Sequence, residues 1–173
     1  EYRNNHVLTG VDVATLTGAQ VVALSANDIR EYFEMMGALE ALGGELACRR
    51  IGDAEVVEIK ALTFEMLACH ARRDLPAYYR INRAIHDRIN RAAGNGLLSH
   101  VYSTLNLRIQ NLRFRSNFDQ QKWDTAAREH AAMVEALEAR DGARLGSILR
   151  NHLREKGQAV LDGLRAERST GAA

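Results

Sequence analysis

Three histidines carry the most chemical information in this chain: His86, His130 and His152. Each falls on the apolar stripe of a different stretch with helical periodicity. His86 lies beside Ile85 and Ile89, His130 between Ala127 and Val134, and His152 after Ile148 and Leu149. A histidine facing a core is costly unless its ring nitrogens find partners. Two readings meet that demand. Each ring is a separately hydrogen-bonded core residue, or the three converge and share a metal ion. Asn82 precedes His86 by one helical turn and adds a side-chain oxygen on the same face.

A set of three imidazoles and one oxygen suits Zn, Ni, Co, Fe or Mn, and affinity order alone does not choose among them. Asn82 is a weaker, neutral ligand than an aspartate, and leaves that position open to water or a substrate oxygen. Such a unit has a net charge of +2, which favours an anionic organic ligand. The other histidines stay apart: His6 in the N-terminal stretch, His70 beside the stripe of the second helix, His100 near the start of the fourth.

Other chemistries find little support. H-E-x-x-H, G-x-S-x-G and a Gly-rich phosphate loop are all missing. Glu129 could serve as a general base, but a step of one residue turns a helical side chain by about 100°, so it is expected to face solvent. Arg108, Arg113 and Arg115 are expected on a solvated face, within reach of an anionic ligand.

The elements that must position these residues are helices. The chain has 173 residues, 46% of them hydrophobic and 26% charged, enough for one domain with a sizeable core. Its single proline and its runs of Ala, Leu, Glu and Arg argue for an all-α antiparallel bundle of about six helices. The expected spans are 28–50, 54–73, 74–93, 97–114, 123–140 and 143–165. Helix two should turn Val57, Ile59, Leu62, Met66 and Cys69 inward. Residues 1–24 hold β-prone runs around Thr17-Gly18, and read as a hairpin, an extended arm or a loose tail. Residues 169–173 read as a disordered tail.

With 23 basic and 22 acidic side chains, the net charge of +1 gives no global pull toward DNA or an anionic membrane. Cys48 and Cys69 sit in apolar stretches and read as buried, reduced thiols, which fits a cytoplasmic setting. No segment approaches the ~20 apolar residues of a membrane span, and no secretory leader is expected.

Residues from about 25 to 165 resemble the FCD effector domain of FadR-like GntR transcription regulators. The matching pieces are Ala23–Ile29 leading to Ala38-Leu39-Glu40, then Asn82-x-x-x-His86, Ala92-Ala93-Gly94-Asn95, Glu129-His130 and Asn151-His152-Leu153. The resemblance implies a helical bundle with an internal cavity, a divalent metal (Zn, Ni or Mn) on Asn82, His86, His130 and His152, and a small carboxylate or sugar acid bound there. Arg108, Arg113 and Asn151 are the side chains expected to meet that effector. The family commonly has Asp where this chain has Asn82, and Met35-Met36-Gly37 stands where many members carry an arginine. The resemblance also implies a homodimer that reaches DNA through an N-terminal winged helix, of which residues 1–24 would be the last part. A helical-bundle metal enzyme using the same three histidines is the alternative function.

Overall fold

Local signals in the sequence set the helix boundaries. The computed structural model describes residues 24–171, together with residues 11–12 and 20–21. Helix α1 (Ala26–Arg50) opens with a capping box, in which Ser25 Oγ accepts from the Asp28 N–H and Asp28 accepts from the Ser25 N–H. Helix α2 (Asp53–Ala71) follows Gly52. Asp74 caps α3 (Leu75–Ala92), whose first turn takes Pro76 without losing a needed N–H. Gly94, with φ of 58°, turns the chain in the left-handed region, and Asn95 caps α4 (Gly96–Arg115). Asp119 caps α5 (Gln120–Glu138), and α6 (Gly142–Gly171) completes the bundle.

The longest contact is between α1 and α6, which run antiparallel. Glycines let them close in: Gly44 sits against Leu145 and Leu149, Gly37 against Leu153, and Gly157 against Phe33. Helix α2 packs on α3 and α5, α5 on α6, and α3 and α4 on α1. The apolar interior divides in two. One cluster joins the C-terminal half of α1 to α2, α3, α5 and the start of α6, around Tyr78, Ile85, Trp123 and Leu149. The other joins the N-terminal half of α1 to α4 and the later part of α6, around Phe33, Tyr102, Ile109 and Leu153. Along α1 and α6 the buried polar residues Glu40 and His152 fall at the boundary between them.

The all-α, six-helix architecture therefore stands, with three corrections. Val57 is 66% exposed, not inward; Val56, Ile59, Thr63 and Met66 form the buried stripe, and Val57 lies one residue off it. The expected loose tail is helical through Gly171. The expected arm is not established: Val11–Asp12 pairs antiparallel with Gln20–Val21, and the rest of residues 1–23, His6 included, lies outside the described residues. Cys48 and Cys69 are both buried free thiols.

Candidate metal centre

Helices α3, α5 and α6 each contribute one imidazole to a common point. One ligand atom from each of His86, His130 and His152 lies within 4.8 Å of the others, and all three residues are buried. His86 Nε2 and His130 Nε2 are 3.2 Å apart. The rings of His86 and His152 stack loosely, and the ring of His130 stands edge-on to both.

The outer nitrogens decide what the inner ones can do. His130 Nδ1 donates to the Ala126 carbonyl at 2.7 Å, and a carbonyl can only accept, so the proton of this ring is on Nδ1. His152 Nδ1 meets Glu129 Oε2 at 2.6 Å. His86 Nδ1 meets Glu40 Oε2 at 2.7 Å, although the approach is bent and gives neither atom a well-directed hydrogen bond. If the His86 proton is likewise on Nδ1, toward Glu40, each Nε2 carries a lone pair. Two lone pairs facing each other at 3.2 Å repel, whereas a shared cation turns the same approach into ligation. Two nitrogens bound to one tetrahedral ion at ~2.0–2.1 Å stand about 3.3 Å apart, so the donor set fits a metal ion. Burial holds His130 and His152 neutral: their pKa values lie well below the ordinary histidine value, burial being the main cause and the neighbouring rings, Lys156 and Arg113 adding to it. Neutral imidazole is the form that ligates.

A ring of charged groups surrounds this point. Burial pushes the Glu40 carboxyl up, but His86 and Arg113 together outweigh it and leave the pKa below the usual value. Arg113 Nη1 is 3.0 Å from Glu40 Oε1 and donates to Asn106 Oδ1 at 2.9 Å. Burial works against the Arg113 charge, and the nearby Glu40 more than restores it. Burial raises the Glu129 carboxyl, while Lys156 pulls it the other way. Lys156 itself is buried, donates to Asn117 Oδ1, and has its pKa pushed down to about 7 by burial and by Arg113. The space against Glu40, Gly43, His86 and Leu149 amounts to about 10 Å³, the size of one water site.

The sequence-predicted site residues separate into two groups. Asn82 is buried one turn before His86 on the same face of α3, and Arg113 is buried against Glu40, contrary to the solvated face expected for it. Arg108 and Asn151 are exposed and do not join the histidines. Asn151 lies one step round α6 from His152, in a groove of about 500 Å³ between α1 and α6 lined also by Arg30, Phe33, Arg150 and Arg154. Glu129 does not face solvent as expected; it reaches from α5 to His152 on α6. His70, half-buried, pairs with Asp124 at 2.8 Å, and His100 is exposed.

Sequence reasoning passed over Glu40 and Lys156. The signal was present: Glu40 follows Phe33 by seven residues and Met36 by four, and Lys156 follows His152 by four. Charged residues at those spacings lie on the buried faces of α1 and α6.

The comparisons with known proteins agree with this architecture. The fold is similar to that of Escherichia coli McbR/YncC, with a TM-score of 0.76, 15% identity, and coverage of 89% of this chain and 77% of that one. It is also similar to a Streptococcus agalactiae GntR protein, with a TM-score of 0.65, 14% identity, and coverage of 87% and 75%. No curated protein matches the chain in sequence. The model of the FCD domain matches residues 31–155, well over half of the chain, and within that span lie His86, His130 and His152 together with Glu40, Arg113 and Glu129. The chain thus belongs to the FCD domain family.

Proposed function

We propose that this FCD domain is the effector-binding and dimerising part of a bacterial GntR/FadR-type transcription regulator, and that it senses a small organic acid at a divalent-metal site. The observation that carries the reading is the trio of imidazoles meeting at one point, with Nδ1 of His130 and of His152 hydrogen-bonded on the outside and Nδ1 of His86 beside Glu40. His86, His130 and His152 would hold the ion, whether Zn, Ni or Mn, with Asn82 as a neutral fourth donor. When bound, the ion supplies two positive charges and a position open to a carboxylate or sugar-acid oxygen.

The charges of the chain's own residues favour an anion. Glu40 and Glu129 face Arg113 and Lys156, so the four side chains roughly cancel and an added cation is left without a counter-charge. The space at the site is too small for an organic acid in the state described. Entry beside His86 therefore requires helices to shift, and Glu40–Arg113, which ties α1 to α4, is the contact we expect to open. That differential strain is a mechanism for a population shift toward a second arrangement of the bundle. In the proposed full regulator, residues 1–24 end a winged-helix DNA-binding domain and residues 25–168 form the sensor. Two copies pair, so that a shift in α1 changes how the DNA-binding parts are set. The buried, reduced Cys48 and Cys69 suit a cytoplasmic protein. Among the described residues no helix is long and apolar enough to cross a membrane. The enzyme reading gains nothing from Glu129, because its carboxylate is engaged with the outer nitrogen of His152.

The test is metal titration of chelator-treated protein with Zn²⁺, Ni²⁺ and Mn²⁺, alongside thermal melting. Ligand binding at a hundred times its dissociation constant stabilises the folded form by ~3 kcal/mol, a rise in Tm of roughly 6–12 °C for a domain of this size. We expect that rise in the wild type and its loss in His86→Ala. A wild type that takes up none of the three ions refutes the reading.

A further inference from the structure

We propose that Glu129 is a positioning residue for the histidine cluster: it sets the His152 ring so that Nε2 faces His86 and His130, and it supplies the negative charge that Asn82 lacks. The inference rests on the metal reading above and deepens it.

The three outer partners contribute differently. The Ala126 carbonyl fixes the His130 tautomer but carries no charge. Glu40 carries charge, but Arg113 lies 3.0 Å from its other oxygen and cancels most of it. Glu129 has no ion-pair partner except His152 among the described residues. Lys156 acts on it from nearby but makes no ion pair with it, so Glu129 is the carboxylate whose one close partner is an imidazole of the cluster, and its charge reaches the common point less cancelled than that of Glu40. A carboxylate on the outer nitrogen fixes ring orientation and raises the basicity of the inner one. The geometry also explains how neighbours on one helix serve different rings. His130 points inward from α5, and Glu129, about 100° round the same helix, reaches across to α6. With an asparagine in place of a charged oxygen donor, this outer carboxylate becomes the principal anionic group acting on a bound cation.

The experiment separates charge from tautomer. Glu129→Gln keeps an acceptor for Nδ1–H and removes the charge, whereas Glu129→Ala removes both. ¹⁵N-histidine NMR of the metal-free chain reads the tautomer directly. We expect His152 as the Nδ1–H form in the wild type and in Glu129→Gln, with a shift toward Nε2–H in Glu129→Ala. Competition titration with Zn²⁺ should give an affinity loss of ~10-fold for Gln and up to ~100-fold for Ala, the range typical of outer-sphere partners. Asn82→Asp should raise the affinity of the wild type as well as of the Gln variant, so the His152 tautomer and the difference between Gln and Ala are the readouts that a purely structural role for Glu129 would not move. An Nε2–H tautomer at His152 in the wild type overturns the proposal. Unchanged Zn²⁺ affinity in both variants overturns it while leaving the metal reading intact. A wild type that binds no ion removes both.

Discussion

Replacing Lys156 with methionine should alter the pH dependence of stability in a direction fixed by the structure. Lys156 is buried on α6, one turn beyond His152, and burial together with Arg113 lowers its pKa from 10.5 to about 7, against the opposing pull of Glu129. Between those two values the unfolded chain binds a proton that the folded chain does not. Stability must therefore rise with pH across the window from about 7 to 10.5, and the full cost of burying the ammonium is present below it. At about 1.4 kcal/mol per pH unit the window is worth about 5 kcal/mol as an upper limit. Lys156→Met has similar length and no charge. It also leaves Asn117 Oδ1 without its donor, a cost of about 1–3 kcal/mol. The variant should be more stable than the wild type by about 2–4 kcal/mol at pH 6.5, and the advantage should vanish or reverse by pH 10. Urea unfolding followed by circular dichroism at several pH values measures both, and taking the difference cancels every group common to the two proteins. Parallel stability curves, or a wild type that loses ground to the variant as pH rises, would refute the reasoning.

Two glycines of α6 form a matched pair. A Cβ at Gly157 would meet Phe33 Cβ and Cγ at 2.9 Å, whereas a Cβ at Gly163 meets nothing within 4 Å. Both alanine variants gain about 1 kcal/mol of helix propensity, but only Gly157→Ala incurs an overpacking cost of about 1–3 kcal/mol. Urea midpoints should therefore move up for Gly163→Ala and stay level or fall for Gly157→Ala. Equal stabilisation of both would contradict the close approach of α1 to α6. Arg113→Met should cost about 3–5 kcal/mol because it strands the buried Glu40 carboxylate, and a second change, Glu40→Gln, should recover part of the loss. A single-variant loss under 1 kcal/mol in the same unfolding assay would show that the pair is not buried as described.

The helices were legible in the sequence because their ends are written in local chemistry. Ser25 and Asp74 are caps whose side chains accept from the backbone N–H three residues on, and no tertiary information is needed to place them; Asp119 caps α5 in the same way, but the expected start at 123 left it in a loop. The three histidines were legible for a related reason, since their spacing from Ile85, Ala127 and Leu149 puts each on a buried face. What surrounds them was not. The contacts of Glu40 with His86 and of Glu129 with His152 join different helices, and helical periodicity is silent on which faces of separate helices meet. Arg113 was expected in water because arginine usually is; a carboxylate arriving from α1, 73 residues earlier in the chain, reverses that preference. Val57 failed for a smaller reason, being an apolar residue one place off a stripe that Thr63 helps to complete.

The three imidazoles are at most 3% exposed. Water and ions meet them only while helices are briefly apart, so loading and stripping of a metal would run at the breathing rate of the bundle rather than at the rate of collision. Beyond a modest concentration, more chelator would not hasten release. With an ion bound as proposed, a sensor built this way would remember the ion it last acquired for as long as its helices stayed closed, and would answer quickly only to molecules that themselves pry those helices open.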